Sequence, residues 1–286
     1  MTRLHDAGPA NVGLSGSDEP EYRQSFVGQI PFGFTLSEDG LGMVGDAGVT
    51  DMLRSTRSGR SGRSGRSGRS GRSGPPRASL LATIADCMAG IPACIVTAPS
   101  LAVTLDIAVR MVADHCGDLL DMTGEIVKRG RSTVAGEVHF TDAQTSDLVA
   151  TSYVTFMASP RPQDLVPPLL RGMRTTGSMP VTFPEFVGTR LLSTGVAEVD
   201  LTPFVMQASG SLQGGIVALI GEIAAESLTG SPVLDLDVRY LSAVRVGPGR
   251  ATASLLGPDL VRVEVRDVGS DDRLAALIFA RMAPVG

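Results

Sequence analysis

The sequence predicts an α+β protein made of two copies of one small unit, each an antiparallel sheet wrapped around a long helix. Three observations carry that expectation. The stretch Gln207 to Glu222 runs from a polar, Gly-rich loop through Gly214 and Gly215 into an apolar helix, and Gly71 to Asp86 aligns with it without gaps. Ser73 then falls on Ser209, Gly74 on Gly210, Ala82 on Ala218, Ile84 on Ile220, and Asp86 on Glu222. Further on, Leu105, Asp106, Val109 and Arg110 parallel Leu234, Asp235, Val238 and Arg239, and near each end Asp142, Ala150, Met157 and Ala158 match Asp267, Ala275, Met282 and Ala283. An internal repeat of this kind sets the architecture before any other reading is made.

Taken in order, the chain opens with a polar lead and a first strand region within residues 22–36. Arg-Ser-Gly is then repeated six times from Arg57 to Gly74, ahead of Pro75-Pro76. A tract without apolar residues has nothing to bury and is expected to be disordered. It reads as an expanded repeat in a surface loop, or else as a basic arm that touches phosphates. The first helix is expected over 78–89, followed by strands at 101–112, 119–128, 133–141 and 147–157. The second copy repeats the scheme: a strand region within 181–199, the loop and helix, then strands at 233–241, 249–256, 260–268 and 273–282. The expected division is 1–160 for the first unit, with 57–76 as an insert, 161–172 as linker and 173–286 for the second unit. Both helices are apolar nearly all round, so each sheet has to wrap its helix to bury it.

Composition narrows the function classes. At 286 residues the chain suits two domains of ordinary size. No apolar run near about 18 residues stands out, so no membrane span is expected, and the N-terminus lacks the apolar segment of a signal peptide. A net charge of -5 removes the general case for nucleic-acid binding. Cys87, Cys94 and Cys116 lack metal-ligand spacing and read as reduced packing residues of a cytoplasmic protein. His5, His115 and His139 are scattered, which argues against a His-based triad or a zinc site. What remains is acid chemistry: Glu222 lies well inside an apolar helix, and a buried carboxylate is costly unless paired, protonated or used.

The loop and helix have a further pattern: an amide residue, Gln207; a glycine three on, Gly210; the pair Gly214-Gly215; and an acid eight residues after Gly214, Glu222. This signature resembles that of the hotdog-fold acyl-CoA thioesterases, of the phenylacetate-degradation and 4-hydroxybenzoyl-CoA types. The resemblance implies two tandem hotdog domains, hydrolysis of an acyl-CoA thioester without metal or organic cofactor, and a set of site residues. The loop amide falls on Gln207, the oxyanion-hole glycine on Gly214, and the catalytic acid on Glu222 in copy two and Asp86 in copy one. The residue before the glycine pair is Gln213 in copy two and Arg77 in copy one. The pair itself, Gly214-Gly215, becomes Ala78-Ser79 in copy one.

Thioester hydrolysis needs a donor for the developing oxyanion and a carboxylate to activate water or attack directly. Gly214 and Glu222 lie about 12 Å apart along one helix, too far to meet at one carbonyl. Antiparallel packing of the two helices would bring each acid to the start of the other. The better site then pairs Asp86 with Gln207 and Gly214, and the reciprocal one pairs Glu222 with the Ala78 amide. Gly215, Gln213, Ala78 and Ser79 are expected to line the substrate. Two alternatives stay open: a non-catalytic acyl-CoA or lipid-binding protein on the same scaffold, and an enoyl-CoA hydratase, for which the expected Asp-His pair is missing. A homodimer of duplicated chains stays open as a partner reading, although one chain already supplies what a single-unit relative would obtain by pairing.

Overall fold

The structure, a computed structural model, describes residues 26–55, 74–161, 171–175, 177–207 and 209–284. The Arg-Ser-Gly tract up to residue 73 and most of the expected linker lie outside the described residues. The first half contains β1 (Phe32–Leu36), β2 (Gly42–Gly48), α1 (Ala78–Thr97), β3 (Ala102–Met111), β4 (Leu119–Arg129), β5 (Thr133–Asp142) and β6 (Leu148–Ala158). The second contains β7 (Gly172–Arg174), α2 (Phe183–Phe186), β8 (Arg190–Ser193), β9 (Val196–Val199), β10 (Met206–Gln207), β11 (Ser211–Leu212) and α3 (Gly214–Thr229). It continues through β12 (Val233–Tyr240), β13 (Gly249–Leu255), β14 (Leu260–Asp267) and β15 (Arg273–Met282).

The strands of both halves join in one continuous antiparallel sheet of 13 strands, ordered β7-β1-β2-β4-β5-β6-β3-β12-β15-β14-β13-β9-β8. The order reads the same from the centre outward, with β3 and β12, the strands after the two helices, side by side in the middle. Their register makes the centre self-complementary: Asp106 lies opposite Arg239, and Arg110 opposite Asp235. Ion pairs follow across the seam, Arg239 to Asp106 at 3.4 Å and Arg110 to Asp237 at 2.8 Å. Both strands also carry a bulge at equivalent places, between Thr104 and Asp106 and between Val233 and Asp235.

One face of the sheet carries both helices. Strand alternation supplies that face: in β14, Val261, Val263 and Val265 are buried, while Arg262, Glu264 and Arg266 face out and pair with one another. Both helices are buried along most of their length. Asp142 and Asp267, matched in the repeat, tie equivalent loops: Asp142 accepts from Gly117 N at 2.7 Å, and Asp267 from Arg245 N and Gly247 N at 2.8 and 2.7 Å.

Three expectations are corrected. Helix α1 runs to Thr97, past Gly90 and Pro92, because a proline removes one ladder bond but the packed sheet holds the helix on either side. At 20 residues with mean hydropathy 1.8, α1 is the one described helix long and apolar enough to cross a membrane, which the expectation of no such run had missed; 61% of that window is buried. Across the division expected at 161–172, β7 pairs with β1 of the first half and Phe183 stacks on Phe26 at 5.9 Å. The strand expected within 181–199 is broken into α2, β8 and β9 around a glycine in the left-handed region, Gly188.

Candidate active site

The helices α1 and α3 lie against each other in opposite directions. Arg77, just before α1, reaches Glu226 in the fourth turn of α3, while Thr83, further along α1, meets Gly215 at the start of α3. A Cβ on Gly215 would sit 1.9 Å from the Thr83 hydroxyl oxygen, so only glycine permits this crossing. Glu222, in the third turn of α3, therefore reaches the start of α1, Asp86 holds the matching place in α1, and the two helix starts can be compared atom by atom.

At the start of α1 the carboxylate of Glu222 is fully buried and fully engaged. It accepts from Ala78 N at 3.1 Å, from Ser79 N at 3.2 Å and, in a very short contact, from the Ser79 hydroxyl. The Arg77 guanidinium stands 3.8 Å away and binds Glu226 at 2.8 Å. Burial, and next the charge of Glu222, push the Glu226 carboxyl up to about 7, against the opposing pull of Arg77. Glu222 thus caps α1 from another helix, an anion on two backbone N–H groups at the positive end of a helix dipole.

At the start of α3 the same positions are differently filled. Gln213 precedes the helix, and its Oε1 accepts from Gly215 N at 2.5 Å. The carbonyl of Gly214 accepts from the Tyr240 hydroxyl at 2.9 Å. Ile216 N and Val217 N turn back to the Gln213 carbonyl, and among the described residues no acceptor meets the Gly214 N–H. Asp86, the counterpart of Glu222 but one methylene shorter, accepts from the Thr104 hydroxyl at 2.7 Å instead of capping the helix. Burial pushes its carboxyl up to about 6, with Thr104 pulling the other way. Tyr240 stands close enough to feel that charge: burial first, and Asp86 second, raise its phenol well above the usual range. The start of α3 thus leaves one donor unfilled, and the facing helix carries an acid with a raised pKa, two kinds of group that acyl-transfer chemistry needs. Cys87, next to Asp86, is pushed up to about 12 by burial and then by that carboxylate, which leaves it an inert thiol.

No family model matches the sequence, and no curated protein matches it. Solved structures do. An acyl-ACP thioesterase from Bacteroides thetaiotaomicron aligns at 10% identity over 87% of this chain and 100% of its own, with a TM-score of 0.55. A protein described as an oleoyl thioesterase from Lactobacillus plantarum aligns at 15% identity over 88% and 100%, TM-score 0.56. The tesB protein of Mycobacterium avium subs paratuberculosis gives 13% identity over 87% and 95%, TM-score 0.51. The fold is that of the hotdog thioesterases.

Within this hotdog fold the sequence-predicted residues separate into two groups and one outlier. Ala78, Ser79 and Glu222 meet at one helix start; Gly214, Gly215 and Gln213 form the other, with Asp86 on the facing helix. Gln207 is the outlier. It sits exposed in the short β10–β11 hairpin, where its Nε2 donates to Ser211 Oγ at 2.8 Å, so the hairpin satisfies the loop amide locally. Thr104 and Tyr240 were missed from sequence. Their signal was there in the repeat: Thr104 stands where the second copy has Val233, and Tyr240 where the first has Met111. A depression of about 340 Å³ lined by Met43, Val44, Thr123, Glu125 and His139 includes none of these residues.

Proposed function

We propose that the chain is an acyl-thioester hydrolase acting on acyl-CoA, built as two tandem hotdog units corresponding to 1–160 and 173–286, with one working site at the start of α3. The reading rests on the raised Asp86 carboxyl on the helix that faces an unfilled Gly214 N–H. Asp86 as carboxylate takes a proton from water, the water oxygen bonds to the thioester carbon, and the carbonyl oxygen becomes an oxyanion held by Gly214 N–H at the positive end of α3. Collapse breaks the carbon–sulfur bond; the leaving thiolate receives the proton from Asp86, and the free acid departs. A pKa of about 6 suits this role, since the group is ionised at neutral pH yet basic enough to take the proton. The reciprocal Glu222 site is read as closed, because its donors already hold a carboxylate.

The test is release of free thiol from a panel of acyl-CoAs by wild type, Asp86→Asn, Glu222→Gln and the double variant. Loss with Asp86→Asn and retention with Glu222→Gln is the expected pattern. Binding of acyl-CoA without hydrolysis of any chain length by the wild type would replace the hydrolase reading with a binding one.

A further inference from the structure

On the sheet face away from the helices, the two halves can be compared strand by strand, because the registers of β2, β4, β5 and β6 match those of β9, β13, β14 and β15. Three transverse rows correspond. Val44, Thr123 and His139 lie side by side in the first half, where Val196, Thr252 and Glu264 do in the second. Asp46, Asp121 and Thr141 answer to Glu198, Arg250 and Arg266. Glu125, Glu137 and Tyr153 answer to Ser254, Arg262 and Phe279. All point away from the core, since the strand neighbours that are buried are Met122, Val138 and Phe140 in one half, Val263 and Val265 in the other.

The charges on these rows differ in sign. The first half shows four acids. Asp46 is held by Arg174 at 2.8 Å and Glu137 meets His139 at 3.7 Å, while Asp121 and Glu125 form no ion pair among the described residues. Glu125 and Glu137 stand directly opposite each other, which costs stability unless an opposite charge covers them. Lys128, toward the β4–β5 hairpin, lies opposite Ala135, outside these rows. The second half shows three arginines to two acids, with Arg250 on Glu198 at 2.6 Å, Arg262 on Glu264 at 2.8 Å and Arg266 on Glu264 at 2.7 Å. The acidic rows also hold exposed Val44 and Tyr153 and the depression over Val44, Thr123, Glu125 and His139.

We propose that these faces meet in a twofold dimer, with the acidic half of one copy stacked on the arginine-bearing half of a second copy. The duplication lets the contact close. The halves lie on either side of the β3–β12 seam, so a twofold axis between the stacked sheets and along that seam sets each half on the opposite half of the partner, and the assembly ends at two copies. Six strands about 4.8 Å apart, each showing about 17 Å of its length, offer up to roughly 500 Å² per half. Both halves together thus exceed the roughly 800 Å² per partner of an ordinary stable interface.

Charge reversal gives a test that misfolding does not imitate. One variant, Glu125→Arg with Glu137→Arg, leaves both halves with an excess of arginine; another, Arg250→Glu with Arg262→Glu, leaves both acidic. In sedimentation velocity at tens of micromolar, the wild-type chain is expected to be a dimer whose dissociation constant rises about tenfold from low to high salt. Each variant alone should be monomeric, its dissociation constant raised by at least about 100-fold, because like charges then face each other at both contacts. An equimolar mixture of the two variants should recover dimers, seen by native mass spectrometry to hold one copy of each, since an arginine-bearing half again meets an acidic one twice. A wild-type chain that stays monomeric overturns the proposal. So does a dimer that survives either reversal alone, and so do two variants with wild-type melting temperatures that remain monomers when mixed.

Discussion

At the start of α1 the Glu222 carboxylate fills the backbone donors that the helix offers; at the start of α3 the Gly214 N–H stays open, and the matching acid, Asp86, turns to Thr104. The two ends share a crossing geometry and an ancestral pattern, and they differ by small changes. One methylene separates Asp86 from Glu222. Ser79 adds a hydroxyl donor where Gly215 has none, and Arg77 brings a cation where Gln213 brings a neutral amide. A longer acid with three donors and a guanidinium becomes a structural cap. A shorter acid beside glycines, with its backbone partner withheld, keeps a raised pKa and a vacant donor. On the proposed reading, one copy of the pattern serves stability while the other is left free for chemistry.

The hardest test of that contrast is kinetic. Asp86→Asn is expected to lower kcat by about 10²–10⁴-fold in thiol release, the usual contribution of a positioned base. Glu222→Gln should leave kcat within a few fold once the protein is folded. Comparable losses from both would mean that the two ends are not functionally distinct.

Stability should respond in the opposite sense. Glu222→Ala strips Ala78 N and Ser79 N of their acceptor and leaves Arg77 with Glu226 alone, and is expected to cost about 3–5 kcal/mol in denaturant unfolding. Asp86→Asn should stabilise. The Asp86 carboxyl is raised from 3.8 to about 6 in the folded chain, so its favourable contribution is complete below about pH 4 and is lost as pH rises through 6. Above that, the charged group costs about 3 kcal/mol, at roughly 1.4 kcal/mol per pH unit. Asparagine removes that cost at pH 8 and changes little at pH 4. A variant that is destabilised at pH 8 would show Asp86 to be a well-satisfied structural acid like its twin.

The glycine pair offers a smaller effect. Gly215→Ala places a methyl against Thr83 and is expected to cost about 1–3 kcal/mol through overpacking. Gly214→Ala, with its nearest contact at 3.1 Å, should cost less, and α1 already accepts alanine at that position as Ala78. If Gly215→Ala proves neutral in unfolding experiments, the helices do not cross as closely as described.

How much of this was readable beforehand depends on the range of the forces involved. The strands from β3 to β6 and β12 to β15 are set by local alternation and turn residues, and their limits follow the sequence to within a residue or two. The central pairing of β3 with β12 was not foreseen, although Asp106 and Arg110 recur as Asp235 and Arg239 at a spacing that is complementary when the strands run in opposite directions. Gly42–Gly48 was not legible: with glycines at 42, 45 and 48 it has poor strand propensity and forms because β1 and β4 flank it. The partner of Gln207 was not legible, because which hydroxyl an amide in a Gly-rich loop meets depends on how the β10–β11 hairpin closes. Thr104 and Tyr240 escaped because the site draws on α1, β3, α3 and β12, whose meeting depends on packing. Only the departures from exact repetition, Thr104 for Val233 and Tyr240 for Met111, marked them.

Those departures give the finest test. Thr104→Val makes β3 resemble β12 at that position and removes the hydrogen bond that holds the Asp86 carboxyl down against the effect of burial. In the wild type, kcat/KM is expected to rise with pH through an inflection near 6 and then level, because the active form of Asp86 is the carboxylate. In Thr104→Val the inflection should move upward by about one pH unit, the equivalent of one hydrogen bond of roughly 1–1.5 kcal/mol to a charged acceptor. The plateau should stay within a few fold, since the base remains in place and becomes slightly stronger. An inflection that stays at its wild-type position would mean that Thr104 does not tune the reactive acid, and that the open and closed helix starts differ for some reason other than where their carboxylates turn.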